Sequence, residues 1–499
     1  MIDLSHSVTD RHASVTTPSG EPTVGAVSII FRKELRELLR DARFWWTSGI
    51  MLVILFMAFL IGWREGLRVD AEQAVARNVT YQQWLDQEDK NPHKAAHFGQ
   101  YGFKPISPLS FFDPGVDPYV GVTVWIEAHK QNEFNFRPAR DMTSLQRFSP
   151  FSMAFGLQIL VPLIIVLLAF SAFTGERERG TLRQLLSIGV QPWQLLAGKG
   201  LAIIAVIGAL LLPAGLLGAI ALGFSSHDHV STENLFGRGL WLIIGYTLYI
   251  IGFTALTLGV SAAVSSSRKA LIVLLAFWVV NSFIAPRVVT DLARKAIPTP
   301  TAVEFQTGLI KARKDGFSAD DTHPAFIAFR DRLLKQYAVT RVEDLPVSFR
   351  GLSLRHDDES GYRVFDQHYG ALFETYAQQE RMRAIAGIAF PLSALQLFSM
   401  GMSGTDTAHH NQFAIAAEGY RREIQTKMSE DLILNHKNGD KNYVASSALW
   451  KTIRPFYYQI PEMKWALVRQ ILNLAMLLVW TFAVTVFSVT ATKRLRPTI

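Results

Sequence analysis

The chain has 499 residues, 49% of them apolar and only 18% charged, with 50 Lys and Arg against 42 Asp and Glu for a formal charge of +8, and it contains no cysteine. The apolar residues gather in long blocks, which marks a membrane protein rather than a string of soluble domains. No basic cluster stands apart from those blocks, so the positive balance belongs to the flanks of membrane spans and not to a nucleic-acid surface, while disulfides and cysteine-based metal or redox chemistry are excluded.

Residues 1–26 are polar, carry Asp3, Asp10 and Glu21, and have no apolar core. They are expected to be a disordered cytoplasmic tail and not a cleaved signal peptide. In residues 27–45, Phe31, Leu35, Leu38, Leu39 and Ala42 fall on one face of a helical wheel with bases on the other, the pattern of an amphipathic cytoplasmic helix leading into the membrane. A hydrocarbon core about 30 Å thick needs about 20 apolar residues in a helix. Trp46–Trp63, Phe151–Phe173, Gly200–Gly223, Leu240–Val264, Ala270–Pro286 and Trp465–Thr490 meet or approach that length, and Arg469 near the start of the last is expected at an interface or inside the bundle. The Lys and Arg flanks orient these spans. With the N-terminus inside, Arg32, Lys33, Arg36, Arg40, Arg43, Arg177, Arg179, Arg183, Lys199, Arg268 and Lys269 are cytoplasmic, as are Lys493, Arg494 and Arg496 in the tail 491–499. The short outside loop before the fourth span holds only Arg238.

Two long segments then face outward, 64–150 and 288–464. The first has turn signals at KPISP and DPGVDPY, and the second has helical patterns such as FDQHYGALFETYAQQERMRAIA, in which Leu372, Phe373 and Tyr376 recur at helical spacing. Together they predict one partly helical extracytoplasmic domain with a core of its own. Its aromatics Phe349, Tyr362, Phe365, Tyr369 and Tyr376 suit a binding surface or that core equally. Residues 384–404 carry no charge over a span's length, yet a seventh span would export the basic tail; they are expected to lie at the outer membrane face or buried in a domain. The fold class is a mainly α membrane protein with six transmembrane helices.

Between the second and third spans, residues 174–199 open with TGERERGTLRQLLSIGV. Leu182, Leu185, Leu186 and Val190 make an apolar side that can rest on the membrane domain, Glu176 to Arg179 make a polar turn that a partner's groove can grip, Gly180 permits a break, and Thr181 can cap a helix starting at Leu182. The alternative is a solvated loop of ordinary positive-inside arginines. Glu176, Arg177, Glu178, Gly180, Thr181 and Leu182 resemble the coupling-helix motif of ABC-2 type transporter permeases, with Arg183 where that family often has an acid. The resemblance implies that this helix docks into a cleft of a separate nucleotide-binding subunit. It also implies a second permease half, either another copy or a paralogue, and a bacterial inner-membrane location with both termini cytoplasmic. The long insertions and the stretch LSALQLFSMGMSGTDTAHHNQFAIAAEGYRREI look like a subfamily of unassigned substrate related to gliding-motility and copper-maturation permeases.

No phosphate loop is present: AGKGLA has Trp193 where the first glycine belongs, and no HExxH, GxSxG or kinase signature occurs. The chain is therefore expected to be no enzyme and to bind no cofactor, with ATP and magnesium held by the partner. Gln158 and Asn281 in the spans are read as packing groups. Weak candidates for a metal are His409 and His410 with Met400, Met402 and Asp406, and His227-Asp228-His229 in the short loop; adjacent histidines seldom face one point, and methionine in an apolar helix is usually packing. The functional expectation is a permease subunit for export or for force transmission to an extracytoplasmic protein. The alternative is a membrane-anchored scaffold or receptor.

Overall fold

The computed structural model describes residues 25–141, 151–224, 231–318 and 320–495. The expected tail up to residue 24, His227-Asp228-His229 and Arg496 lie outside the described residues. The molecule is 75% helical. Among the described residues, six helices are long and apolar enough to cross a membrane: Ala42–Leu85, Met153–Glu178, Pro192–Gly223, Glu233–Ala263, Ser267–Ala296 and Met463–Lys493.

Helix α1 (Ala26–Arg40) buries Ile30 and half-buries Phe31, Leu35 and Leu38, whereas Leu39 and Ala42 are exposed. Asp41 ends it and caps α2 (Ala42–Leu85) by accepting a hydrogen bond from the Arg43 amide. At 1.5 Å per residue α2 is about 66 Å long, roughly twice the hydrocarbon thickness. The first span therefore continues past Trp63 as a helical arm carrying the first insertion. That insertion adds α3 (Pro92–Ala96) and an antiparallel sheet of β1 (Gln100–Phe103), β2 (Thr123–Ile126) and β3 (Phe134–Asn135), with Gln100 opposite Ile126 and Thr123 opposite Asn135.

The chain passes from the second span through α4 (Thr174–Glu178) and α5 (Thr181–Ser187) into α6 (Pro192–Phe224), then α7 (Thr232–Ala263) and α8 (Ser267–Val279). Two π-helical segments, Gly156–Leu160 and Val280–Ile284, interrupt the second and fifth spans. A wider turn frees backbone groups, and neighbours take them up: Tyr249 donates to the Gln158 carbonyl at 3.0 Å and the Trp278 indole to the Ile159 carbonyl at 2.9 Å. The Gln158 side chain donates to Tyr246, so it does pack helices together.

The second insertion runs through α9 (Phe349–Ala386), α10 (Pro391–Ser403) and α11 (Thr407–Asn435) before the last span, α12 (Met463–Lys493). Helix α10 is too short to cross a bilayer, and nearly all of it is buried. It lies antiparallel beside α7, where Ser399 pairs with Tyr246 at 3.0 Å and Arg238 donates to the Met402 carbonyl at 3.2 Å, and at its start the Leu392 amide donates to Asn281 of the fifth span. Gly404, at φ +76, closes it with a left-handed cap. Of the uncharged run, Pro391–Ser403 is thus buried against the spans, while Ile385 and Ile388 before it are exposed.

The two insertions share a core. Trp84, Val124 and Ile126 from the first meet Phe413, Met428 and Trp450 from the second. The Trp84 indole donates to the Trp450 carbonyl at 3.2 Å and Tyr81 to the Ile453 carbonyl at 2.9 Å. Phe349 and Phe365 are buried and Tyr362 lies under the guanidinium groups of Arg421 and Arg422, which makes these aromatics core material. Arg469 is exposed and lies over the ring of Trp465.

Candidate functional site: the coupling turn

Helices α4 and α5 form a bent turn between the second and third spans, and Gly180 makes the bend. Its φ of +77 is a region that residues with a Cβ enter only with strain, although there is open space around it. Thr181 does not cap a helix starting at Leu182: it is itself the first residue of α5, with Gly180 at the cap, and its hydroxyl donates to the Glu176 carbonyl at 3.2 Å. Leu182 is buried in the membrane core, and Leu185, Leu186 and Val190 pack against that core.

The charged residues are sorted by direction. Glu176 does not face outward. Its side chain is 4% exposed and accepts from Lys199 on α6 at 2.8 Å and from Lys33 on α1 at 3.4 Å. Lys199 also donates to Glu34 at 2.7 Å, and Lys33 to Glu34 at 2.9 Å, so two acids and two lysines from three segments form one alternating network. Away from bulk water a carboxylate remains with such partners, because leaving one buried charge uncompensated is costly. Burial alone would raise the Glu34 carboxyl, but Lys199 and then Lys33, by charge and hydrogen bond, outweigh it and hold the group below its ordinary value. Helix α1 is drawn in until Ile30 meets Gly198 so closely that a Cβ there would lie 2.5 Å from the Ile30 side chain.

Arg177 clamps the end of α7, donating to the carbonyls of Val264 and, at 2.9 Å, Ala262. A cation there meets the unpaired carbonyls and the negative end of the helix dipole. Glu178 does the converse at the start of α8, accepting from the Ser267 amide at 2.7 Å and its hydroxyl at 2.8 Å. Ser261 completes the junction by accepting from the amides of Phe173 and Thr174. What remains outward is Arg179, Gly180, Arg183 and Gln184, with Ile188 75% and Trp193 57% exposed. The turn is rooted in α1, α6, α7 and α8 and presents a mixed basic and apolar outer face.

Of the six motif residues, all lie in this turn, but only Glu178 and Gly180 are exposed. Lys33, Glu34, Ser261 and Ser267 are hydrogen-bond partners within the turn's network that the motif did not indicate; the i,i+1 placement of Lys33 and Glu34 on an amphipathic helix was the available signal.

Among the described residues, the weak metal candidates at 400–410 do not make a site. His409 pairs with Asp406 at 2.5 Å on one nitrogen and faces the Arg238 guanidinium at 3.4 Å on the other, a cation that repels a metal ion. Met402 is fully buried among apolar groups, and the His410 ring packs on Phe134.

No curated protein matches the chain. The profile of ABC-2 family transporter proteins matches residues 28–491, almost the whole length, including the coupling turn and both insertions. With six span-length helices joined in this order, the chain belongs to the ABC-2 family and is a multi-pass membrane permease component of an ABC transporter.

Proposed function

We propose that this permease receives the stroke of a separate ABC ATPase at the coupling turn and converts it into export, or into force on an extracytoplasmic partner, across a bacterial inner membrane. In this reading the turn and both termini are cytoplasmic, the insertions are extracytoplasmic, and a second copy or a paralogous permease completes the transporter. ATP and magnesium belong to the ATPase, and the chain itself catalyses nothing. One observation carries the proposal: a turn whose root is tied by Glu176, Arg177 and Glu178 to four other helices, while Arg179, Arg183, Ile188 and Trp193 are left outward. Such a turn moves as a lever rather than as a loose loop. The insertion domain also carries a cleft of about 810 Å³ bordered by Glu127, Glu133, Arg313 and Tyr101, which suits an outside ligand or partner.

The test is to combine Arg183→Glu with Ile188→Asp, both on the outer face. The variant should insert normally but lose copurification with the ATPase and its stimulation of ATP hydrolysis, by tenfold or more if about 1.4 kcal/mol or more of docking energy is removed. Unchanged coupling would leave the scaffold reading in place.

A further inference from the structure

Three histidines converge in the insertion domain, far in sequence from the coupling turn. His93 and His97 are four residues apart, on and just after α3, so they share one face of a helical turn, and Asn91 fixes that turn by accepting from the His93 amide at 3.1 Å. His129 arrives from the loop after β2. The rings stand 4.8 to 5.0 Å apart, centre to centre, and one nitrogen from each lies within 4.8 Å of the others. Among the described residues this is the group of three or more metal-ligating side chains that comes together.

The backbone is bent to achieve it. His129 has φ +66, and the Lys130 amide donates across it to the Ala128 carbonyl at 3.0 Å, a γ-turn of the rare positive-φ kind. The Ala128 amide in turn donates to the Ala96 carbonyl, which ties the turn to α3. Asp358, 6% exposed on α9 of the other insertion, lies 3.1 Å from His129 Nδ1. That bond fixes the ring with its proton on Nδ1 and leaves the Nε2 lone pair free, the arrangement by which carboxylates orient metal-binding imidazoles. Glu127 and Asp358 are acids close enough to act on His97, against Arg350 near His93.

We propose that His93, His97 and His129 bind one divalent first-row transition-metal ion of the zinc class, with Asp358 as the positioning residue for His129. Imidazole suits such ions, and three histidines leave a fourth position for water. At bonds of about 2.0–2.1 Å, tetrahedral ligand nitrogens stand about 3.3 Å apart, so the rings must close slightly; His97 is exposed and free to turn, which also opens a path for the ion. Binding would lock the His129 turn to α3 and, through Asp358, fasten the first insertion to the second.

The experiment uses tag-free, full-length protein in detergent, stripped with chelator and titrated with Co²⁺ and then Zn²⁺. One equivalent of Co²⁺ should give the visible absorption of a tetrahedral site, and Zn²⁺ should displace it. His97→Gln should abolish that spectrum, while Asp358→Asn should weaken Co²⁺ affinity by about 10–100-fold. Because His97 is exposed, its variant should keep the metal-free melting profile of the parent, so a lost spectrum reports a lost ligand. Hydrogen exchange over residues 126–132 should slow when Zn²⁺ is added to the parent and not to His97→Gln. An absent Co²⁺ spectrum in the parent, or one that persists in both His97→Gln and His93→Gln, overturns the site.

Discussion

Glu34 and Glu176 are acids whose positions near the membrane are set by lysines and not by water. For Glu34 the consequence can be read from pH. Its carboxyl is held below the ordinary value of 4.5, so the stability it contributes is fully present above that value and is lost as pH falls through the lower, folded value. Acidification should therefore loosen α1 from α6. The measurement is thermal inactivation of the detergent-solubilised protein from pH 7 to pH 3.5: the parent should lose stability below about 4.5, and Glu34→Gln should start less stable and lose less over the same window. An identical pH profile in both proteins would mean that the Glu34 pairs contribute nothing. The same network explains what the sequence could and could not tell about the coupling turn. The run from Glu176 to Leu182 located it, but the direction of Glu176 depends on Lys33, 143 positions away, and on Lys199, on another helix. A motif carries residue types at fixed spacing and says nothing about which of its charges finds a partner inside the fold.

At the level of elements, the spans were legible because hydrocarbon runs of about 20 residues have few alternatives. The sheet was not, because β1 and β2 are four residues each and β3 only two, too short for alternation to be seen. Residues 384–404 were ambiguous for the opposite reason: the uncharged run matched a span's length, and only the short α10 within it, its burial against α7 and α12 and the glycine cap at Gly404 show that it does not cross. The helix pair α7 and α12 also shows how the spans hold together. Gly252 and Gly259, seven residues apart on α7, face α12 so closely that a Cβ at Gly252 would lie 2.1 Å from Trp480 and one at Gly259 2.8 Å from Phe487, while Gly245 meets Phe398 of α10 at 2.5 Å. Apolar helices in lipid gain little from hydrophobicity when they meet, so close backbone approach at small residues supplies the packing. Gly252→Leu should therefore cost about 1–3 kcal/mol through overpacking, read as a lower thermal inactivation temperature. The same change at Gly208 on α6, where nothing lies within 4 Å, should be nearly silent. Equal effects at the two positions would show that backbone approach at Gly252 is not what couples α7 to α12.

At the scale of the whole molecule, the two insertions leave the membrane domain separately and meet in one core, and the 44-residue α2 carries the first of them outward as a continuous helix. Movement of the coupling turn would thus reach the far domain through packed helices, with α10 seated between spans and insertions. The sidedness of this arrangement rests on the Lys and Arg flanks alone, and the chain offers a direct way to test it because it contains no cysteine. A single cysteine at Ser187, exposed on α5, or at Lys437, exposed in the loop after α11, can be labelled without removing any native thiol. In spheroplasts, a membrane-impermeant maleimide should label Lys437→Cys at once and Ser187→Cys only after the membrane is permeabilised. The reverse pattern would invert the molecule, place the insertions beside the ATPase, and remove the basis for reading the coupling turn as its dock. Labelling of both cysteines in sealed spheroplasts would instead require an even number of crossings between residues 187 and 437 in place of the three expected, and would overturn the six-span arrangement.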